Sequence, residues 1–317
     1  MIRPALREYR TWAIESRRWN DFAPRDGDVV IATASKCGTT WMQQIVALLI
    51  FQETAVRPLP AISPWIDGRA HGPASDIYRA LGAQTHRRFV KTHVPVDGLP
   101  LYEQIRYIHV ARDGRDAVMS MHNHFTAFPD ERIATFDRIG LADPVIARLY
   151  LRAPADPNEF FRRWISTAVV EGQSDGCPDL SFFDLEVGYW AERQRANMLL
   201  VHYNDLLENL DAEMRRVAAF LGIAINHEIW PSLVRAASFN EMQRDGDQLM
   251  PQTITMRGGG SRRFFNKGTS GQWRAVLTAR DLALYEQKAR EKFSPGLAKW
   301  VEGGRSKAGD PGGSDDR

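Results

Sequence analysis

The sequence predicts an α/β fold in which a central parallel sheet is flanked by helices in three layers. Short apolar runs typical of buried strands alternate with stretches of helical periodicity, which implies crossover connections between parallel strands. Strands are predicted at 28–33, 87–92, 105–110 and 198–203. With 44% hydrophobic residues, the chain can bury one sizeable core, and we predict a single domain over 1–300.

Each element is justified by its own pattern. The first strand, DVVIAT, leads into a helix predicted over 39–51. RRFVKT and IRYIHV are the next two strands, and ARDGRDAVMSMHNHF turns from the second of them into a helix. MLLVHY is followed by DLLENLDAEMRRVAAFLGI, whose apolar residues have helical spacing up to Gly222, the predicted C-cap. The polar residues 303–317 are predicted to be a disordered tail.

Composition and charge exclude several classes of protein. Lysine and arginine number 41 against 39 acidic residues, a balance that argues against a nucleic-acid partner but allows a small basic pocket. Cys37 and Cys177 make neither a disulfide framework nor a metal site, so we predict a cytoplasmic protein. No apolar stretch approaches the length of a spanning helix, and we expect no stable membrane insertion. The oligomeric state is left open.

The stretch ATASKCGTTW, residues 32–41, lies between the first strand and its helix. In the nucleotide-triphosphate loop the lysine follows the second glycine, whereas here Lys36 precedes Gly38. The N–H groups of Cys37 to Thr40 and the hydroxyls of Thr39 and Thr40 can still surround a phosphate. No later predicted strand ends in an acidic residue for magnesium, so we predict an anion site without a metal. A tight turn capped by threonines is the alternative.

Four stretches in order resemble the motifs of the cytosolic sulfotransferases and together span 28–275. ATASKCGTTW resembles the family's TYPKSGTTW, and KTHVP (91–95) resembles its KTHLP. VARDGRDAVMSMHNHF (110–125) resembles its 3′-phosphate segment, and FFNKGTSGQWR (264–274) its RKGxxGDWK closing motif. The resemblance implies a P-loop-like fold and the donor 3′-phosphoadenosine 5′-phosphosulfate (PAPS), whose sulfuryl group passes to an acceptor hydroxyl or amine.

The chemistry of that transfer assigns three catalytic residues. An attacking hydroxyl must lose its proton, and His93 at the end of a strand is the predicted base. Lys36 is predicted to stabilise the charge that develops on the leaving phosphate. Lys91 lies on the same face as His93 and is predicted to bind a sulfuryl oxygen or the 5′-phosphate. The alternatives are a structural histidine for His93 and a solvated lysine for Lys91.

The donor's second phosphate and its base define the rest of the predicted site. Arg112 and Ser120 are predicted to bind the 3′-phosphate, with Lys267 and Gly268 on its far side. An ion pair of Arg112 with Asp113 or Asp116 is the alternative. The resemblance implies that the adenine contacts Trp41, Tyr203, Ser238 and Phe239, although each aromatic could be simple core.

Three positions depart from the family pattern. Asn266 replaces the arginine of RKG, so we predict that Arg262 or Arg263 supplies the missing contact. Ala237 replaces a threonine before Ser238. Cys37 replaces a serine, and its thiol is either reactive at the helix N-terminus or, the favoured interpretation, a small buried side chain.

The acceptor is predicted to be a small molecule or lipid with an apolar body and a hydroxyl group. SPWID (63–67) and HRRFVKTHVPVDGL (86–99) resemble bacterial sulfotransferases that act on glycolipids. Residues 126–190 are the predicted acceptor segment, because aromatic residues there could wall an apolar pocket. These aromatics, with Phe125 just before the segment, are Phe125, Phe128, Phe160, Phe161, Trp164, Phe182, Phe183, Tyr189 and Trp190. The alternative is that several are the buried faces of two helices.

Two other functions remain open from the sequence. A kinase-like P-loop enzyme would use ATP and a metal, and the reversed order of Lys36 and Gly38 argues against it. A noncatalytic nucleotide-binding module would not need Lys91 and His93 at one strand end.

Overall fold

Four parallel strands form the central sheet of the computed structural model, which describes residues 1–313. They are β1 (Val29–Ala32), β2 (Phe89–Thr92), β3 (Arg106–Ala111) and β4 (Met198–His202), in the spatial order β2-β1-β3-β4. The predicted α/β fold with a parallel sheet is confirmed. Because β1 lies between β2 and β3, the residues that follow these three strands are neighbours at one edge of the sheet.

Helices cover both faces of the sheet. The α-helices are α1 (Thr39–Phe51), α2 (Leu59–Ile62), α3 (Ala74–Ala83), α4 (Gly114–Phe125), α5 (Asp130–Ala142), α6 (Pro157–Ser166), α7 (Phe182–Ala191), α8 (Tyr203–Glu208), α9 (Leu210–Leu221), α10 (Trp230–Ala236), α11 (Phe239–Arg244), α12 (Gly246–Leu249), α13 (Gly260–Phe264), α14 (Ala279–Lys292), α15 (Pro295–Gly303) and α16 (Arg305–Ala308). Short 3₁₀ helices cover Ser16–Asp21, Arg69–His71, Val96–Gly98, Pro251–Thr253, Gln272–Ala275 and Pro311–Gly313.

The side chains of β1 pack alternately into two cores, one on each face of the sheet. Val29 and Ile31 join one buried cluster with α1, α9 and α10, whereas Val30 and Ala32 join another with α4, α6 and α7. This split follows from the strand geometry, in which successive side chains point to opposite faces. Burial of a large aliphatic side chain stabilises a fold by about 1.5 to 3 kcal/mol, so the two clusters hold helices on both sides of the sheet. The three-layer architecture is confirmed.

The turn between β1 and α1 requires a glycine. Gly38 has a φ of 108°, and a Cβ atom added there would lie 3.1 Å from Cδ2 of Tyr203. A side chain at this position would be strained and crowded. Gly38 therefore lets the chain enter α1 directly beneath the end of β4, and Thr39 begins the helix as predicted.

The helical region after β4 is divided in two. α8 and α9 are separated by Asn209, whose side chain accepts a hydrogen bond from the Ala212 N–H at 3.0 Å and caps α9. The helical spacing of the sequence did not predict this break. Gly222 ends α9 in the left-handed region with a φ of 65°, and the predicted C-cap is confirmed.

The C-terminal segment differs from the predicted disordered tail over 303–308. Gly303 ends α15, and α16 follows it. The Arg305 N–H lies 3.1 and 3.2 Å from the two carboxylate oxygens of Asp205, and its guanidinium lies 3.0 Å from Glu213. These contacts to α8 and α9 order a segment whose composition alone is polar and small. Residues 314–317 of the predicted tail lie outside the described residues.

Within residues 1–313, the structure contains no helix with the length and apolar character required to cross a membrane.

Candidate active site

Each of the four strands is followed, within four residues, by a residue that lines a common cavity of about 250 Å³. Lys36 follows β1, His93 follows β2, Arg112 follows β3 and Tyr203 follows β4, and all four side chains line it. The carboxyl edge of a parallel sheet is the usual place for a ligand in such folds. The sequence order therefore explains why these residues, far apart in the chain, meet.

The structure brings most of the predicted site residues together. Those that line the cavity are Lys36, Gly38, Thr39, Thr40, Trp41, Lys91, His93, Arg112, Ser120, Tyr203, Phe239, Lys267 and Gly268. Cys37, Ser238, Arg262 and Arg263 are not among its lining residues.

His93 is held in one tautomer by the backbone. Its Nδ1 lies 2.9 Å from the carbonyl oxygen of Thr33. Because a carbonyl oxygen can only accept, Nδ1 carries the proton and Nε2 keeps its lone pair. Burial, and then the charge of Lys91, lower the pKa of His93 to about 3. The imidazole is therefore neutral at physiological pH and available as a base.

Lys36 and Lys91 have their ammonium groups enclosed in the cavity. The Nζ atom of Lys36 lies 4.1 Å from the ring centroid of Phe264, and that of Lys91 lies 4.9 Å from the ring of Trp65. Burial is the main reason that the pKa of Lys36 is lowered to about 7, followed by the charges of Arg112 and Lys91. Burial likewise lowers the pKa of Lys91 to about 8. Both lysines would gain from an anion in the cavity.

Arg112 is not neutralised by the acidic residues beside it. Its Nη1 donates to the Lys36 carbonyl and its Nη2 to the Thr269 carbonyl, each at 3.1 Å. Asp113 pairs with Arg115 at 2.7 Å, and Asp116 accepts hydrogen bonds from the N–H groups of residues 271 and 272. The Nε atom of Arg112 is buried without a hydrogen-bond partner among the described residues. The expected alternative, an ion pair of Arg112 with Asp113 or Asp116, is absent from the described residues.

Aromatic residues form one end of the cavity. The Trp41 indole N–H donates to the carbonyl oxygen of Ala237 at 2.7 Å, and its ring meets Tyr203 edge-on at 5.2 Å. Gly268 has a φ of 64°, and a Cβ atom there would lie 2.5 Å from the ring of Phe239. The closing loop therefore packs directly on Phe239, and only glycine allows this approach.

Four residues predicted to contact a nucleotide do not line the cavity. Ser238 caps α11 by accepting a hydrogen bond from the Glu241 N–H, and Cys37 is fully buried, with its thiol pKa raised well above normal by burial. Arg263 donates to the Asn123 carbonyl at 3.3 Å and to the Thr126 hydroxyl at 3.2 Å. Arg262 is exposed. Local hydrogen bonds thus occupy two of these side chains, and the favoured interpretation of Cys37, a small buried side chain, agrees with its burial.

The predicted aromatic wall divides into two groups. Phe125 and Phe128 line the cavity, as do Phe136 and Tyr150, which the sequence did not single out. Phe160, Phe161, Trp164, Phe182, Phe183, Tyr189 and Trp190 are instead buried in the main core. α6 packs against α4 and α14, and α7 packs against α14 and α15, so most of these rings are buried between helices.

Several lining residues were missed by the sequence prediction. Trp65 contacts the His93 ring edge-on at 5.1 Å, and its indole N–H donates to Asp67 at 2.8 Å. The signal was present in SPWID, which pairs with β2 through the Lys91 N–H and the Pro64 carbonyl at 3.1 Å. His124 lies four residues after Ser120, so the two share a helix face. Arg132, Asp179 and Phe264 also line the cavity.

A parallel sheet with a glycine-containing turn and a cation-lined cavity at its carboxyl edge is typical of α/β enzymes of the P-loop-like class. Residues 26–295 match the family described as the sulfotransferase domain. This protein belongs to the sulfotransferase family, and the resemblance seen in the four motifs is confirmed.

Relatives extend along nearly the whole chain. A glycolipid sulfotransferase of Mycobacterium bovis BCG is 32% identical to it, over 94% of each protein. Cytosolic sulfotransferase 1 of Danio rerio is 27% identical, over 88% of this chain and 87% of its own. A solved mouse sulfotransferase complexed with PAP has a TM-score of 0.67 at 19% identity, over 92% of this chain and 93% of that one. This last likeness establishes the shared fold.

Proposed function

We propose that this protein transfers the sulfuryl group of PAPS to a hydroxyl group on an apolar acceptor, with a lipid-linked sugar favoured over a phenolic or steroid-like alcohol. The observation that carries the proposal is the content of one cavity. A neutral histidine with a free Nε2 lies there with Lys36, Lys91 and Arg112, and none of these cations has an ion pair among residues 1–313. This set suits a base next to a polyanionic donor.

The transfer needs one proton movement and one bond exchange. The acceptor hydroxyl gives its proton to Nε2 of His93 as its oxygen attacks sulfur. The new O–S bond forms while the bond between sulfur and the 5′-phosphate oxygen breaks, and adenosine 3′,5′-bisphosphate leaves. Lys36 stabilises the negative charge that grows on the 5′-phosphate, and Lys91 holds a sulfuryl oxygen.

We assign the donor's 3′-phosphate to Arg112, Ser120 and Lys267. The unpartnered Nε of Arg112 supports this, because a buried donor without an acceptor is costly unless a ligand satisfies it. Asn266 cannot supply a guanidinium, and Arg263 is held by α4. We assign the adenine ring to Trp41 and Phe239, both of which line the cavity.

Two observations support the acceptor class. The cavity continues from His93 into walls made by Trp12, Phe128, Phe136 and Tyr150. The mycobacterial relative carries the name glycolipid sulfotransferase. We also propose a cytoplasmic location, supported by the free thiols of Cys37 and Cys177 and by the cytosolic naming of relatives.

Thermal unfolding with two nucleotides tests the donor. Adenosine 3′,5′-bisphosphate at 100 times its Kd should add about 2.7 kcal/mol to the free energy of unfolding, and ATP with magnesium should add far less. The opposite ranking would favour a kinase-like enzyme. Stabilisation by the bisphosphate without any sulfuryl transfer would favour a noncatalytic module.

A graded acceptor series tests the apolar pocket. Rates should be compared for glucose, phenol and alkyl glucosides of increasing chain length. We expect kcat/KM to rise with chain length, by up to about fourfold per methylene, which corresponds to about 0.8 kcal/mol for each buried CH₂. A faster phenol with no effect of chain length would remove the glycolipid preference, and a free sugar as good as any would contradict an apolar pocket.

Substitution of Gly268 tests the adenine site. Gly268→Ala places a methyl group against the Phe239 ring, so we expect the affinity for adenosine 3′,5′-bisphosphate, measured by calorimetry, to fall about tenfold or more. Gly271→Ala is the matched control, since Gly271 also has a positive φ of 80° but its Cβ would meet only the flexible Arg274 side chain, at 3.4 Å. Equal losses in both variants would mean that backbone strain, rather than contact with Phe239, is responsible.

A further inference from the structure

Arg132 lines the aromatic part of the cavity, near Phe136, and has no ion pair among the described residues. It lies in the first turn of α5, lines the cavity and is partly buried. Within residues 1–313 its guanidinium makes no hydrogen bond or ion pair, and its Cζ atom lies 5.8 Å from the Phe136 ring centroid. Burial lowers the pKa of this guanidinium. The proposed roles of Lys36, Lys91 and His93 leave Arg132 without a function.

Three acidic residues on or next to α5 pair with other arginines. Asp143 accepts from Arg10 and Arg69, each at 2.7 Å. Asp137 pairs with Arg152 at 2.8 Å. Asp130 pairs with Arg257, and Glu131 is exposed.

The carboxylate that lines the cavity is also engaged. Asp179 is the only carboxylate that lines the cavity among residues 1–313, and it accepts from the Ser35 hydroxyl and from the Leu180 N–H. Apart from the exposed Glu131, these carboxylates have other partners, and the Arg132 guanidinium has no ion pair among residues 1–313. A partly dehydrated charge without a partner is unfavourable, and an anionic ligand would recover that free energy.

An anion that binds Arg132 would not be one of the donor's phosphates. The donor's phosphates are assigned to Lys36, Arg112 and Lys267, at strand ends and in the closing loop. Arg132 lies in the aromatic wall, and its charge lowers the pKa of Lys91 and of His124, whereas Arg112 and Lys91 are the charges that act on Lys36. Arg132 thus lies on the side of the cavity that holds Lys91 and His124.

We propose that Arg132 forms an anion subsite for the acceptor, which therefore carries a phosphate, sulfate or carboxylate group in addition to its reactive hydroxyl and apolar body. The inference rests on the proposed sulfuryl transfer for the role of the hydroxyl. It narrows the acceptor to an acidic amphiphile. A bidentate guanidinium contact to an oxyanion would also fix the orientation of the acceptor toward His93.

Direct binding of matched ligands tests the subsite. Octyl β-D-glucoside, octyl β-D-glucuronide and octyl β-D-glucoside 6-phosphate share one apolar chain and differ in the anion. Each should be titrated into protein saturated with adenosine 3′,5′-bisphosphate, using wild type, Arg132→Gln and Arg138→Gln. Arg138 is the control because it is on the same helix but exposed, and it donates to Thr135 at 3.2 Å.

We expect at least one anionic ligand to bind about 10- to 100-fold more tightly than the neutral glucoside, since charged hydrogen bonds have that strength. The better of the two anionic ligands identifies the oxyanion. The preference should disappear in Arg132→Gln and persist in Arg138→Gln, with bisphosphate affinity unchanged in both. An equal affinity for all three ligands, a preference that survives in Arg132→Gln, or no binding of any ligand would overturn the subsite. Stabilisation by the bisphosphate, measured separately, decides the donor proposal whatever the outcome here.

Discussion

Replacing His93 with alanine should lower kcat about 10²- to 10⁴-fold, because removal of a positioned general base has effects of that size. Affinity for adenosine 3′,5′-bisphosphate should stay close to that of wild type, since proton removal is needed for transfer and not for binding. Single-turnover rates and calorimetric titrations measure the two effects separately.

A second substitution separates the base from the fold. His93→Asn can keep the hydrogen bond to the Thr33 carbonyl through its side-chain amide, but it has no Nε2. We expect it to be as slow as the alanine variant. His122→Gln changes a histidine on α4 that bonds to the Pro154 carbonyl and does not line the cavity, and it should remain active. Wild-type turnover in either His93 variant would contradict the general-base role.

Replacing Lys36 with methionine should lower kcat about 10²- to 10³-fold, the usual loss when one stabiliser of transition-state charge is removed. Binding of adenosine 3′,5′-bisphosphate should also weaken, because the proposed contact of the ammonium with the 5′-phosphate would be made in both the donor and the product. Lys299→Met, at an exposed position, is the matched control. An unchanged kcat in Lys36→Met would assign the leaving-group role elsewhere.

The pH dependence of binding gives Lys36 a separate signature. Its pKa in the free protein is about 7, and the charged form alone attracts phosphate. The bound anion raises that pKa, so affinity is greatest below pH 7 and falls as the pH rises through it. Lys91, with a pKa of about 8, should extend the fall.

Calorimetry in two buffers of different ionisation enthalpy should detect proton uptake on binding between these pH values. Lys36→Arg should bind without the first part of this pH dependence, because its guanidinium stays charged. A wild type that binds equally from pH 6 to 9 would contradict the role of either lysine as a titrating phosphate ligand.

The order of residues after each strand made much of the site predictable. Lys36, His93, Arg112 and Tyr203 each follow a strand, and parallel strands end at one edge of a sheet. The helix boundaries of α1 and the cap at Gly222 were predictable for a different reason, because periodicity and capping depend on local sequence. The break at Asn209 was not predicted, since the apolar spacing continues across it.

The sequence did not show which partners several of the predicted side chains have in the folded protein. Ser238 and Arg263 have the right chemistry for a nucleotide, but contacts to Glu241 in one case and to Asn123 and Thr126 in the other occupy them. The aromatics of α6 and α7 have the composition of a pocket wall, but helix orientation turns them into the core. Composition does not state which face of a helix meets a cavity.

The sequence by itself determined the parallel α/β fold, the sulfotransferase family and the chemical types gathered at the strand ends, because these depend on local periodicity and on motif order. Only the tertiary structure decided the protonation and the partners of those groups. The Thr33 carbonyl selects the tautomer of His93. Asp113 and Asp116 have other partners, so Arg112 forms no ion pair with either of them. Arg132 likewise has no ion pair among residues 1–313, since Asp137 and Asp143 pair with arginines from other segments. Charge compensation is a property of three-dimensional neighbours, and these come from segments that the linear chain keeps far apart.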